Sequence, residues 1–95
     1  MNDIPREILT TWAANKPTIK SLYVFGSYAI GTNHPGSDLD LAFEMIDVDS
    51  PLAELITNAA AWKAELTQLT GILVKDLYLS TDPPAQTTRV LIFSR

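Results

Sequence analysis

Ninety-five residues, 46% of them hydrophobic, make one domain over 1–95 with a single core and argue against disorder. A net charge of −4 offers no basic surface for direct nucleic-acid binding, and the lack of cysteine excludes disulfides, thiolate zinc sites and a cysteine nucleophile. No apolar run reaches the roughly 18 residues of a membrane span and the N-terminus has no signal-peptide pattern, so the chain reads as a soluble, cytoplasmic protein.

In chain order, Asp3 is positioned to cap a first helix running to about Ala14, with Ile4, Ile8, Leu9 and Trp12 on its inner face and Asn15-Lys16-Pro17 ending it. Ile19 to Phe25 predicts a strand, apolar on both faces as a central strand is. Gly26-Ser27 follows at its C-terminal end, where ligands of α/β sheets commonly bind. Tyr28-Ala29-Ile30 predicts a short helix ending at Gly31, with its N-terminal amides turned toward that end of the sheet. Thr32 to Ser37 is a loop by composition, and His34 within it reads as a surface histidine.

A second strand spans Asp38 to about Met45. Side chains alternate across a strand, so Asp38, Asp40, Ala42 and Glu44 share one face and Leu39, Leu41, Phe43 and Met45 the other. Two carboxylates on one face are costly unless a cation neutralises them, and carboxylate oxygens are the hard ligands that Mg²⁺ prefers. The Gly-Ser turn adds backbone N–H groups and a hydroxyl suited to a phosphate. Together these parts read as a metal–nucleotide site. Glu44 lies too far along the strand to share it, and Asp47-Val48-Asp49 reads as a polar connector.

Ser50-Pro51 begins a long helix to about Leu69, closed by Thr70-Gly71, with Leu52, Leu55, Ile56, Ala59, Trp62, Leu66 and Leu69 as its apolar stripe. Ile72 to Leu79 predicts a third strand in which Asp76 is a lone acid, sharing a face with Val74 and Tyr78. An unpaired buried carboxylate costs several kcal/mol, so an ion pair or a water-facing edge must otherwise satisfy it. Ser80 to Thr88 is a loop, and Arg89 to Phe93 a last strand at an edge. The expected architecture is α/β (α+β), one small mixed β-sheet with helices packed on it.

Gly26-Ser27, ten residues, then Asp38-Leu39-Asp40 resembles the GS-x10-DxD signature of the DNA polymerase β-like nucleotidyltransferases, and the size of the chain is similar to their minimal nucleotidyltransferase (MNT) members. The resemblance covers nearly the whole chain. It implies the palm fold of that superfamily and an enzyme in which Asp38, Asp40 and Asp76 are catalytic, ligating two Mg²⁺ ions, with Asp76 activating the acceptor hydroxyl. It implies that Gly26, Ser27 and Ser37 bind the nucleotide triphosphate, ATP. Many MNT proteins carry arginines shortly after Gly-Ser; Tyr28-Ala29-Ile30 stands there instead, so Lys20, Arg89 or a partner must supply any cation. Larger relatives hold their acceptors on additional domains, so this chain is expected to borrow its acceptor surface. The resemblance points to the antitoxin of a HEPN/MNT pair, which transfers AMP to a tyrosine of the helical HEPN toxin. Two alternatives stand beside it: a non-catalytic antitoxin acting by occlusion, and the catalytic subunit of a heteromeric small-molecule nucleotidyltransferase.

Overall fold

The structure, a computed structural model, describes residues 3–95. Helix α1 (Arg6–Ala14) leads into strand β1 (Ile19–Phe25), a four-residue helix α2 (Ser27–Ile30) and strand β2 (Asp40–Met45). Helix α3 (Pro51–Thr70), strand β3 (Leu77–Leu79), a 3-10 turn (Pro83–Ala85) and strand β4 (Arg89–Ser94) complete the chain. The strands form one mixed sheet in the order β3-β2-β1-β4. β1 is antiparallel to both neighbours, whereas β2 and β3 are parallel and are connected through α3. A parallel pair needs such a crossover because its strands start at the same end of the sheet.

Local chemistry accounts for most of these boundaries. The Ser50 hydroxyl accepts from the Ala53 N–H, Pro51 opens α3, and Gly71 closes it in the left-handed conformation, φ 72°. Gly31 closes α2 in the same way, φ 78°. The cap expected for α1 is not made: Pro5 occupies the N-cap position and Asp3 lies outside the helix. Two strand boundaries also differ from expectation. β2 begins at Asp40, and β3 is confined to three residues, because Ile72–Asp76 leave the end of α3 without joining the regular ladder.

Helices α1 and α3 cover one face of the sheet. Leu9, Trp12 and Ala13 from α1 and Leu55, Trp62 and Leu66 from α3 pack on Leu22, Val24, Leu41 and Phe43. Trp12, Phe43 and Trp62 form an aromatic triad with ring centroids 5.4–6.1 Å apart. The Trp12 indole N–H donates to Glu65 (2.9 Å), which satisfies its polar edge. A bulge between Ile19 and Ser21 resets the alternation of β1, so Ile19 and Leu22 enter the same core although three residues apart. Not every residue of the expected stripes is buried: Ile8, Leu52, Ile56 and Leu69 are exposed. A twenty-residue helix overhangs so small a sheet, and only its central turns meet it. No helix among the described residues is long and apolar enough to cross a membrane.

The other face has neither long helix over it and holds a second, smaller buried cluster, open at its margins. It carries Tyr23 and Phe25 from β1, Ala42 from β2 and Tyr78 from β3, with Ala85 of the 3-10 turn packed against them.

Candidate active site

Phe25 pairs with Asp40 in the last rung of the β1–β2 ladder. The turn that follows β1 and the first residue of β2 therefore meet at one end of the sheet. Gly26 adopts φ 72°, ψ −150°, a region that essentially only glycine occupies. A Cβ placed there would collide with the Asp40 carboxylate. Two parts of the sequence pattern, glycine and aspartate, are thus in direct contact across the ladder. The missing side chain makes room for the carboxylate.

Asp38, Asp40 and Asp76 come to this end from different segments. Asp38 and Asp40 flank Leu39, whose side chain is buried in the helix-side core, so both carboxylates turn to the open side, each half-buried. The Leu39 N–H donates to the Leu73 carbonyl (3.0 Å), tying the segment before β2 to the one before β3. Leu41 is in register with Leu77, so the residues before them, Asp40 and Asp76, are in line on neighbouring strands. Burial holds the Asp40 carboxyl above the usual aspartate range, and the charges of Asp38 and Asp76 push it further.

Asp76 is not the buried strand residue that the apolar pattern predicted. It is exposed and precedes β3, and its expected face-mates part company. Val74 packs in the helix-side core, while Tyr78 meets Phe25 edge-on across the open face, with ring centroids 5.3 Å apart. Period-two alternation holds from Leu77 to Leu79 and fails before it. Water solvates the Asp76 carboxylate, so no buried ion pair is needed there.

Ser27 is the half-buried first residue of α2, and its carbonyl accepts from the Thr32 N–H (3.0 Å). The Ser37 hydroxyl accepts from the His34 N–H (2.9 Å), and the Ser37 N–H donates to the His34 carbonyl (2.8 Å), so Ser37 shapes this turn. His34 is exposed, its Nδ1 accepting from the Gly36 N–H. Glu44 accepts from the Ser21 hydroxyl (3.0 Å) farther along β2. Lys20 is five residues before Phe25, about 16 Å along the strand, at the end of β1 remote from Gly26. Arg89 has its backbone at the acidic end, paired with Phe25, but its guanidinium lies back over the Tyr23 ring and donates to the Ser80 carbonyl. One neighbour went unrecognised from sequence. Burial raises the proton affinity of the Tyr78 hydroxyl, and so do the charges of Asp76, Asp40 and Asp82. Its spacing of two from Asp76 was the available signal.

The donor chemistry suits a hard divalent cation: all three groups are carboxylates, and the repulsion acting on Asp40 is what such a cation would relieve. As the side chains stand, no three His, Cys, Asp or Glu groups among the described residues converge into a ligand set. The three acids share an electrostatic neighbourhood that is wider than a coordination shell.

The nucleotidyltransferase domain family model matches residues 5–81. No curated protein matches the chain. A crystal structure at 1.40 Å of a protein from Sulfolobus solfataricus, described as a candidate nucleotidyltransferase, superposes with a TM-score of 0.55 at 20% identity. The match covers 95% of this chain and 77% of that one, and it carries the fold. The family match runs from the start of α1 past β3 and takes in the Gly-Ser turn, the Asp-x-Asp strand and Asp76. On that match the chain belongs to the nucleotidyltransferase domain family.

Proposed function

We propose that the protein is a Mg²⁺-dependent nucleotidyltransferase that moves AMP from ATP to a tyrosine hydroxyl of a helical HEPN-type toxin and so acts as its antitoxin. The contact between the Asp40 carboxylate and the Gly26 backbone carries the nucleotidyl-transfer part of this reading, because it puts a cation ligand against the backbone of the Gly-Ser turn. The partner rests on the resemblance of the Gly-Ser and Asp-x-Asp segments to the MNT antitoxins.

Asp38 and Asp40 would hold the two ions with Asp76 completing the set; the ions, when bound, neutralise triphosphate charge and acidify the acceptor hydroxyl. Gly26 admits phosphate oxygens close to the backbone, and the Ser27 hydroxyl donates to them. The acceptor oxygen bonds to the α-phosphorus as the bond to pyrophosphate breaks, and its proton passes to the Asp76 carboxylate. The exposure of Asp76 supports this role, since the acceptor must arrive from outside. The alternative is occlusion, in which the domain neutralises its partner by binding alone.

The test is transfer of label from α-³²P-ATP, with Mg²⁺, to proteins of a host lysate. Wild type and Asp76→Ala run side by side, with γ-labelled ATP as the kinase control. The expected result is one band, from wild type and the α label only, which mass spectrometry identifies. Labelled small molecules without labelled protein would move the acceptor to the small-molecule class. No transfer at all, with an Asp38→Ala/Asp40→Ala variant that still neutralises its partner, would overturn the enzyme in favour of occlusion.

A further inference from the structure

We propose that Tyr78 is itself an acceptor of this site, so that the chain transfers AMP to its own phenol within one molecule. The inference rests on the nucleotidyl-transfer reading and deepens it by naming a second acceptor, one that belongs to the chain itself.

The sheet register brings the phenol to the acids. Tyr78 is in register with Ala42 on the neighbouring strand, and Asp40 lies two residues before Ala42 on the same face of β2. Asp76 lies two residues before Tyr78 itself. β3 and β1 are two strand spacings apart, about 10 Å, yet the Tyr78 and Phe25 ring centroids are only 5.3 Å apart. The two rings therefore lean toward each other over β2. The small side chain of Ala42 leaves room for this lean, and Phe25 is the ladder partner of Asp40. The Tyr78 ring is thus turned toward the rung that carries Asp40. The charges of Asp76, Asp40 and Asp82 all act on its hydroxyl.

Tyr78 is half-exposed, and its hydroxyl makes no hydrogen bond among the described residues. The other tyrosines are the internal contrast. Tyr23 shares the face but lies under the Arg89 guanidinium, 4.2 Å from its ring centroid. Tyr28 is buried in the helix-side core. In the transfer step the phenol oxygen of Tyr78 bonds to the α-phosphorus, the bond to pyrophosphate breaks, and the phenol proton passes to the Asp76 carboxylate. An acceptor held this close needs no encounter with a second protein, because its position replaces collision. The product is a phosphodiester on Tyr78, which fills the acceptor side beside Asp76 and so stops the reaction after a single transfer.

The test incubates the purified chain alone with α-³²P-ATP and Mg²⁺ at several protein concentrations and maps the labelled peptide. Label is expected on Tyr78, with a rate constant independent of protein concentration; in the lysate assay it adds a band at the size of the chain itself. Tyr78→Phe keeps the ring that meets Phe25 and should abolish this label, whereas Tyr23→Phe should match wild type. A second readout needs no turnover: α,β-methylene ATP with Mg²⁺ should slow nitration of Tyr78 by tetranitromethane and leave Tyr23 unchanged. Mapping and nitration both use wild type, so they decide the matter even if Tyr78→Phe does not fold. Label that persists in Tyr78→Phe, label that passes from wild type to a tagged Asp38→Ala/Asp40→Ala chain, or unprotected Tyr78 would overturn the proposal. An unlabelled chain that still labels a lysate protein would overturn it too and leave the transferase reading intact. No label on either would remove both.

Discussion

The two faces of the sheet are built from the same strands and obey opposite rules. On the covered face Leu22, Val24, Leu41 and Phe43 have no exposed surface, and α1 and α3 seal them from water. On the open face Asp40 is held beside two other negative charges, and Arg89 is pinned over an aromatic ring without an acidic partner. β2 belongs to both. Leu39, Leu41 and Phe43 anchor it in the core, and the residues between them place Asp38 and Asp40 on the other side. The alternation of a single strand lets the apolar side pin the backbone that holds repelling charges together.

This contrast can be broken from either side. The largest expected effect is on the covered face. Trp62→Ala removes the ring that meets Trp12 and Phe43 and should cost about 3–5 kcal/mol of stability, measured by urea denaturation. Nucleotide affinity of the folded fraction should hold; a parallel loss of affinity would show that the faces are not separable. Gly26→Ala acts at the seam. Backbone strain alone should cost about 1–3 kcal/mol, and the added methyl must also displace the Asp40 carboxylate, so AMP transfer should fall by more than the loss of folded protein explains.

The smallest effect has the sharper sign. The Asp40 carboxyl titrates above the usual aspartate range, so its contribution to stability is fully present below that range and is lost as pH rises through the raised value. In metal-free buffer Asp40→Asn should therefore melt higher than wild type at pH 7, by about 2 °C because water screens the repulsion, and the difference should vanish toward pH 3. A variant that melts lower at neutral pH would mean that the carboxylate is stabilising and the repulsion is relieved some other way.

Much of this was legible in the sequence, and for physical reasons. Local capping chemistry marked the ends of α3, since Ser50-Pro51 and Gly71 act within a few residues of themselves. Period-two alternation marked both faces of β2, because its partners on either side keep it straight and paired. The sequence pattern paired Gly26 with Asp40, and the ladder brings them into contact. The strand around Asp76 was drawn too long because Ile72–Leu79 reads as one apolar run, yet its first part is the exit from α3 and only Leu77–Leu79 finds a strand to pair with. Exposed Ile56 and Leu69 were assigned to the core because helical periodicity gives the direction of a side chain and not whether anything lies opposite it. The rung that joins Arg89, Phe25 and Asp40 was invisible, since register between strands far apart in sequence leaves no local pattern.

That rung also bears on how the molecule folds. β1 and β2 are close in the chain, but β4 must travel back across almost its whole length to pair with β1, where the Arg95 N–H donates to the Lys20 carbonyl (2.9 Å). Such a closure forfeits more chain entropy than the local pairing and raises the contact order of the domain. A partly folded chain can own the β1–β2 ladder and its acids, but not the strand that closes the other edge. The charged end of the sheet is thus assembled only by global folding, and a ligand spanning it would stabilise all four strands at once rather than one loop.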